Sequence, residues 1–398
     1  MPCDNHVMLY RYFCHEPPMP SNHSRLQSID ALRGLVMLFM LLDHVRETFF
    51  LHRQVSDPMD ALSVAPELFF TRLLSALCAP VFIFLTGLSA WLYSQKHSRR
   101  DASLFLLKRG LFLVLLELTL VNLAWNATLL PQTLWLQVIW CIGICMIVLA
   151  GALYLPRGVL LGLAALIVAG HNLLDPLVLS HESPWFVPWA ILHQREFIDL
   201  GGVIRARTTY PVLPWIGVIL LGWGAGPWFA QSMAPARRLR LLLSGGIALL
   251  VAFVAIRYLN AYGEQPWLAT GDVLRTSMSF LSARKYPPSL MFLLPTLGMC
   301  LVLLALLERY QARPWVPLLA LFGAAPMFFY LLHLYVLKAL YLIAVALWGR
   351  NQGDYFGFDQ LASVWLCSLL LAMVLYYPTR WFAALKQRRR DVTWLKYF

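Results

Sequence analysis

The stretch Ser28-Ile-Asp30-Ala-Leu-Arg33-Gly-Leu-Val-Met-Leu-Phe-Met-Leu-Leu-Asp43-His44 reads as an apolar helix that carries ionisable residues at two depths. Its length is of the class that crosses a bilayer, about 20 residues. Ionisable groups are costly there and persist mainly where they pair, line a cavity or take part in chemistry. Arg33 and His44 are separated by about three helical turns, which places them on one face about 16 Å apart. Asp30 lies within about 40° of that face, and Asp43 stands beside His44. One side of the helix is therefore polar toward both of its ends.

The remainder of the chain has the same apolar character. Its 398 residues are 60% hydrophobic and 13% charged, with a mean hydropathy of +0.64, which excludes an ordinary soluble globular domain. The fold expected is an all-α, polytopic membrane helix bundle of about ten transmembrane helices. The expected spans are about 31–50, 70–94, 109–128, 133–155, 158–174, 211–231, 239–259, 288–307, 318–347 and 361–384. They divide the chain into an N-terminal tail (1–24), a transmembrane domain (25–384) and a basic C-terminal tail (385–398).

Basic residues follow alternate spans: Lys96 to Arg109, Arg157, Arg237 to Arg240, Arg309 with Arg313, and Lys386 to Arg390. With ten spans all of these fall on one side, which the positive-inside rule makes cytoplasmic together with both termini. The net charge of +12 is thus spread along the chain as a topology signal, and no nucleic-acid partner is expected. The partner expected is the lipid bilayer, and the sequence leaves a homodimer open. The two long connections, 175–210 and 260–287, are expected on the opposite side, covering the mouth of a cavity.

Residues 1–24 lack the apolar core and small-residue cleavage site of a signal peptide. Five of the seven cysteines lie within spans, so no disulfide framework is implied. Cys3, His6, Cys14 and His15 are irregularly spaced in the polar tail, and no metal is assigned. Loop histidines such as His181 and His193 read as solvated surface.

Candidate site residues follow from residue type and depth. His44 suits a general base or transient acyl acceptor, with Asp43 fixing its tautomer, although an interface histidine bonded to a neighbouring helix has the same appearance. Arg33 has the planar fork of a phosphate or carboxylate clamp, or simply pairs with Asp30 at the helix flank. In Phe322-Gly-Ala-Ala-Pro326-Met-Phe-Phe-Tyr330-Leu-Leu-His333, Tyr330 and His333 lie one turn apart near mid-membrane. Ala283-Arg-Lys285-Tyr286-Pro-Pro-Ser289 is a basic, aromatic corner. It suits an anionic or polyhydroxyl ligand and equally an interfacial anchor. Thr86-Gly87-Leu-Ser89 and the Gly222/Gly226 spacing read as helix-packing positions.

Taken together, Ser28 to Gly34, Cys78-Ala-Pro80 through Thr86-Gly87-Leu-Ser89-Ala, Tyr210 through Gly217, Lys285 to Leu290 and Phe322 to His333 resemble the bacterial membrane acyltransferases related to the catalytic domain of heparan-α-glucosaminide N-acetyltransferase. The resemblance runs from about Arg25 to Tyr377. The Arg33/His44 pair is also similar to the arginine–histidine signature of the wider acyltransferase-three superfamily, in which the histidine is essential.

The resemblance implies an enzyme of the bacterial cytoplasmic membrane. It would move an acetyl or other acyl group from cytoplasmic acyl-CoA to a hydroxyl or amine of an extracytoplasmic glycan. The mechanism expected places the donor phosphates at Arg33, beside Asp30 and with Lys108 or Arg109 assisting, His44 and Asp43 at the proton or acyl transfer, and Tyr330 or His333 polarising the thioester. Lys285 and Tyr286 are the acceptor-binding candidates. In the lysosomal relative the active histidine lies in a loop after the first span, where this chain has His52. The competing reading is a transporter or flippase with Asp30, Arg33, His44 and His333 along a polar path.

Overall fold

The computed structural model describes residues 27–129, 131–389 and 391–397, so the 1–24 tail with Cys3, His6, Cys14 and His15 lies outside the described residues. The helix of the diagnostic stretch, α1 (Gln27–Phe49), runs through the middle of a helical bundle. Around it pack α2 (Pro66–Ser75), α3 (Cys78–Ser94), α12 (Leu290–Arg309), α13 (Trp315–Ala324), α14 (Pro326–Trp348) and α15 (Leu361–Arg388). A flanking group consists of α4 (Arg99–Leu116), α5 (Asn122–Asn126), α6 (Val138–Ala152), α7 (Arg157–Gly170), α9 (Leu213–Ala225) and α10 (Pro235–Leu259). Two short helices, α8 (Phe186–Leu192) and α11 (Val273–Leu281), belong to the long connections.

Helix boundaries follow local chemistry. Ser98 and Ser289 accept from backbone N–H groups in the first turns of α4 and α12, satisfying donors that a helix start leaves open. Prolines occupy the first turns of α2, α9, α10 and α14, where the missing N–H costs nothing. Asn260, at φ 51°, ends α10 in the left-handed conformation, a region asparagine tolerates.

Among the described residues six helices, counting α2–α3 as one span, are long and apolar enough to cross a membrane, against the ten spans expected from the sequence. Four expected spans, 31–50, 109–128, 133–155 and 211–231, are not among the six, the last being a shorter apolar stretch, Leu213–Phe229, and 318–347 is broken in two. Asp30, Arg33, Asp43, Arg46 and Glu47 load the first helix with charge. The 109–128 span passes through a π-helical turn at Glu117–Val121. The 133–155 span opens as a strand, β1 (Thr133–Leu136), and only then becomes α6. The 318–347 span is two helices broken at Ala325, whose φ of −134° and ψ of 59° are non-helical, because the ring of Pro326 disfavours the α region for the residue before it.

β1 pairs in parallel with β3 (Arg205–Thr208), which pairs antiparallel with β2 (Phe197–Asp199), giving the order β1-β3-β2. Thr133 faces Arg205, and Phe197 faces Arg207. Exposed apolar side chains cover α10 (Ile247, Val251, Val254) and α15 (Leu366, Leu369, Leu370, Met373, Val374). Such a surface suits lipid and would be a liability in water. The described cysteines are all free thiols.

Ion pairs define one end of the bundle. Glu308 at the end of α12 accepts from Ser28 Oγ at 2.8 Å and pairs with Arg238 at the start of α10. The starts of α1 and α10 and the end of α12 therefore meet at one end, and His44 lies toward the other.

The closest helix contact sits between these ends. A Cβ on Gly34 would stand 1.8 Å from the Leu319 carbonyl oxygen, and one on Gly323 would stand 1.9 Å from that of Asp30. Only two glycines permit this approach. Gly87, Gly222 and Gly226 likewise abut backbone or ring atoms across α3 and α9, in keeping with their reading as packing positions. Gly34→Ala should destabilise the protein by about 1–3 kcal/mol and lower its melting temperature in detergent. Gly162→Ala, where nothing lies within 4 Å, should leave it nearly unchanged, and equal melting temperatures for the two would contradict this packing.

Candidate active site

At the His44 end a cavity of about 1020 Å³ opens between α1, α2, α12 and the connections. Asp43, His44, Arg72, Tyr210, Lys285 and Tyr286 are among the residues that line it. Gln54 to Asp57 reach it from the segment after α1, Arg195 and Thr209 from the 175–210 connection and Lys285 with Tyr286 from the 260–287 connection, so both long connections contribute to its walls.

His44 Nδ1 lies 2.7 Å from His333 Nε2, with the two rings stacked at a centroid distance of 5.0 Å. His333 Nδ1 lies 2.7 Å from the Phe329 carbonyl oxygen. A carbonyl can only accept, so His333 Nδ1 is the protonated nitrogen and, in the neutral ring, Nε2 carries the lone pair. His44 Nδ1 must then donate to it. Nε2 of His44 is left unprotonated on a ring that lines the cavity. His333 is completely buried and reaches the cavity only through His44.

The expected role of Asp43 changes accordingly. Its Oδ1 accepts from Arg46 Nε at 3.0 Å and its Oδ2 from Arg72 at 2.6 Å, while Arg46 also bonds Glu47 at 3.2 Å. Successive helix positions point about 100° apart, so Asp43 turns to the arginines and His333 orients His44 instead. His333 is also unsuited to polarise a carbonyl, because both of its nitrogens are already engaged.

Tyr330 does join His44, at a ring-centroid distance of 6.0 Å, and Trp125 approaches His44 edge-on at 5.3 Å. Trp125 Nε1 and Tyr330 Oη are both buried, and they interact with each other. Two polar groups thus flank the imidazole. Glu117, fully buried in the π-helical turn, accepts from the Trp140 backbone N–H at 3.0 Å and so caps α6. π-Turns recur at functional sites, and this one sets the path of α5 with Trp125.

Lys285 is buried, with its ammonium 5.1 Å from the Tyr286 ring centre and 6.0 Å from that of Tyr210. Arg195 lies 4.8 Å from the centre of the Tyr286 ring, and the two tyrosine hydroxyls are 3.3 Å apart. Asp57 accepts the Lys285 backbone N–H at 3.1 Å, and burial pushes its carboxyl pKa up. The basic corner is therefore an aromatic and cationic wall of the cavity.

At the opposite end Arg33 bonds Asp30 at 2.8 Å, Ser89 at 3.2 Å and the Gly323 carbonyl at 3.3 Å. Arg109 is its electrostatic neighbour, with a buried Nε that has no partner. Lys108 is exposed. His52 sits in a 3₁₀ turn (Leu51–Arg53) against Phe50 and Gly357, outside the cavity lining.

The description "Heparan-alpha-glucosaminide N-acetyltransferase, catalytic" matches residues 25–262, more than half of the chain. The chain belongs to this family. No curated protein matches it. Membership in the heparan-alpha-glucosaminide N-acetyltransferase catalytic family indicates acyltransferase-type activity, and the apolar helices indicate a multi-pass membrane protein. The match contains Asp30, Arg33, Asp43, His44, Arg72, Trp125 and Tyr210 and ends before Lys285, Tyr330 and His333.

Removing Asp43 would strand Arg72 and leave Arg46 with Glu47 alone, and these arginine side chains are only 12% and 3% exposed. Breaking a buried pair from one side costs about 3–5 kcal/mol. Asp43→Ala should therefore lower the melting temperature sharply in detergent. An unchanged melting temperature together with lost activity would return Asp43 to a role in the chemistry.

Proposed function

We propose that the protein transfers an acetyl or other acyl group from a cytoplasmic acyl-CoA to a hydroxyl or amine of an extracytoplasmic glycan, in a bacterial cytoplasmic membrane. The observation that carries this reading is the chain from His44 Nδ1 through His333 Nε2 to the Phe329 carbonyl, which assigns the proton of His44 to Nδ1 and leaves Nε2 bare on a ring that lines the cavity. A lone pair so presented is what a general base needs.

In this reading His44 Nε2 removes the proton from the acceptor as its oxygen or nitrogen bonds to the thioester carbon. The indole N–H of Trp125 and the hydroxyl of Tyr330 hold the carbonyl oxygen as negative charge develops there. When the carbon–sulfur bond breaks, the imidazolium returns the proton to the departing thiolate, so atoms and charge balance. His333 shares the positive charge while His44 carries it.

The tyrosine and cation wall suits a sugar, whose ring faces stack on aromatics and whose hydroxyls take donors. Arg72 is held by Asp43 and Ser75 and contributes fixed charge. For the donor, acyl-CoA supplies the activated acyl group. The orphan Arg109 Nε beside Arg33 is a donor of the kind a phosphate accepts.

Purified protein, isotopically labelled acetyl-CoA and amino-sugar oligosaccharides, followed by mass spectrometry, test the proposal. Labelled acetyl should appear on the acceptor. His44→Ala should lower kcat by about 10²–10⁴-fold, the range for losing a general base. His333→Ala should lower it less, and His52→Ala should leave it near the starting value. Substrate counterflow in vesicles without any acyl transfer would favour a transporter, and an inactive His52→Ala beside an active His44→Ala would move the centre to the loop.

A further inference from the structure

A second group of chemically capable side chains lies outside the cavity. His171 opens the 3₁₀ turn His171–Leu174 after α7, Asp175 follows that turn, and His193 follows α8. One ligand atom from each lies within 4.8 Å of the other two. His193 was expected on a solvated surface, yet it is 4% exposed, and His171 is 2% exposed.

The cluster is incompletely satisfied. Both ring nitrogens of His171 and Oδ1 of Asp175 are buried without a hydrogen-bond partner. Native proteins seldom leave such groups open, because a buried polar atom without a partner has lost its hydration with nothing in return. The other carboxylate oxygen, Oδ2, pairs with Arg284 and accepts from Asn172 Nδ2 at 3.0 Å. That arrangement leaves Oδ1 facing His193 Nε2 at 3.6 Å, while the same nitrogen donates to the His171 carbonyl oxygen at 3.1 Å. The Trp189 ring stacks on His193 at 5.3 Å and holds the imidazole plane.

We propose that His171, Asp175 and His193 form a binding site for a divalent transition-metal ion of the zinc type. Two imidazoles and a carboxylate are the donor set of zinc, whereas calcium and magnesium take oxygen ligands. Zinc–ligand bonds of about 2.0–2.2 Å put tetrahedral ligand atoms about 3.3–3.5 Å apart. Closing from 4.8 Å to that spacing requires the side chains to move, and zinc at His193 Nε2 would take the place of its hydrogen bond to the His171 carbonyl, with the ring proton on Nδ1. Arg284 and Asn172 hold the carboxylate in place, as residues behind metal ligands commonly do. Asp175, a quarter exposed, leaves the fourth position open to water.

The ion would staple the turn after α7 to the end of α8 and, through Arg284, to the 260–287 connection. Arg195 and Lys285, close in sequence to His193 and Arg284, line the cavity. The metal would therefore hold the cavity mouth in shape without entering the chemistry at His44.

The test is metal content and spectroscopy of the intact protein in detergent, independent of any activity. After chelation and dialysis, protein given zinc and passed over a sizing column should retain one ion per chain by elemental analysis. Protein given cobalt should show the intense visible bands of a four- or five-coordinate ion. His171→Ala and His193→Ala should lose both signals, and Asp175→Asn should weaken zinc binding about 10–100-fold. Absent zinc in the unsubstituted protein, full zinc retention in the double histidine variant, or the weak bands of six-coordinate cobalt would each overturn the proposal. The cobalt spectrum of the unsubstituted protein decides the matter even where a histidine variant fails to fold.

Discussion

The hydrogen bond between His44 and His333 depends on how two helices are held. α1 and the α13–α14 pair meet where Gly34 abuts Gly323, and the backbone break at Ala325 starts α14 beside this contact. One of these features sets the distance and the other sets the direction. A continuous helix through 325 would carry His333 along a different axis. The glycine contact, the proline break and the Phe329 carbonyl together supply the one geometry in which His333 accepts from His44.

Charge is sorted by the same helix. Asp30 and Arg33 pair at one end, and Asp43, Arg46 and Arg72 form a closed group near the other. In a low-dielectric setting such groups persist because each charge has an opposite within hydrogen-bond reach. The imidazole at position 44 is the group that this sorting leaves to the cavity. Asp43 was the obvious partner by adjacency, yet neighbours along a helix diverge by about 100°, and a partner 289 positions away takes its place.

Much of this was legible in the sequence. The apolar runs with their regular basic flanks gave the membrane class, and helical phase singled out His44 and Arg33 on one face. Tyr330 and His333 were visible as a polar pair at depth, and Lys285 with Tyr286 as a basic corner. Tyr210 opened one of the stretches that carry the family resemblance, but nothing local says that Arg72 reaches Asp43. Trp125, Glu117 and the His171–Asp175–His193 cluster had no signal at all, because each depends on contacts between distant segments or on a π-turn that no periodicity announces. The strand at Thr133–Leu136 was hidden in an apolar run, since a short strand and a helix start share that composition.

Nitrogen NMR of the protein with isotope-labelled histidine tests the central claim most directly, because protonated and bare imidazole nitrogens resonate far apart and His44 can be assigned by substitution. His44 should carry its proton on Nδ1, hydrogen-bonded to His333, with Nε2 bare, and His333→Ala should mix the two tautomers. A His44 resonance pair with the proton on Nε2 in the unsubstituted protein would contradict it.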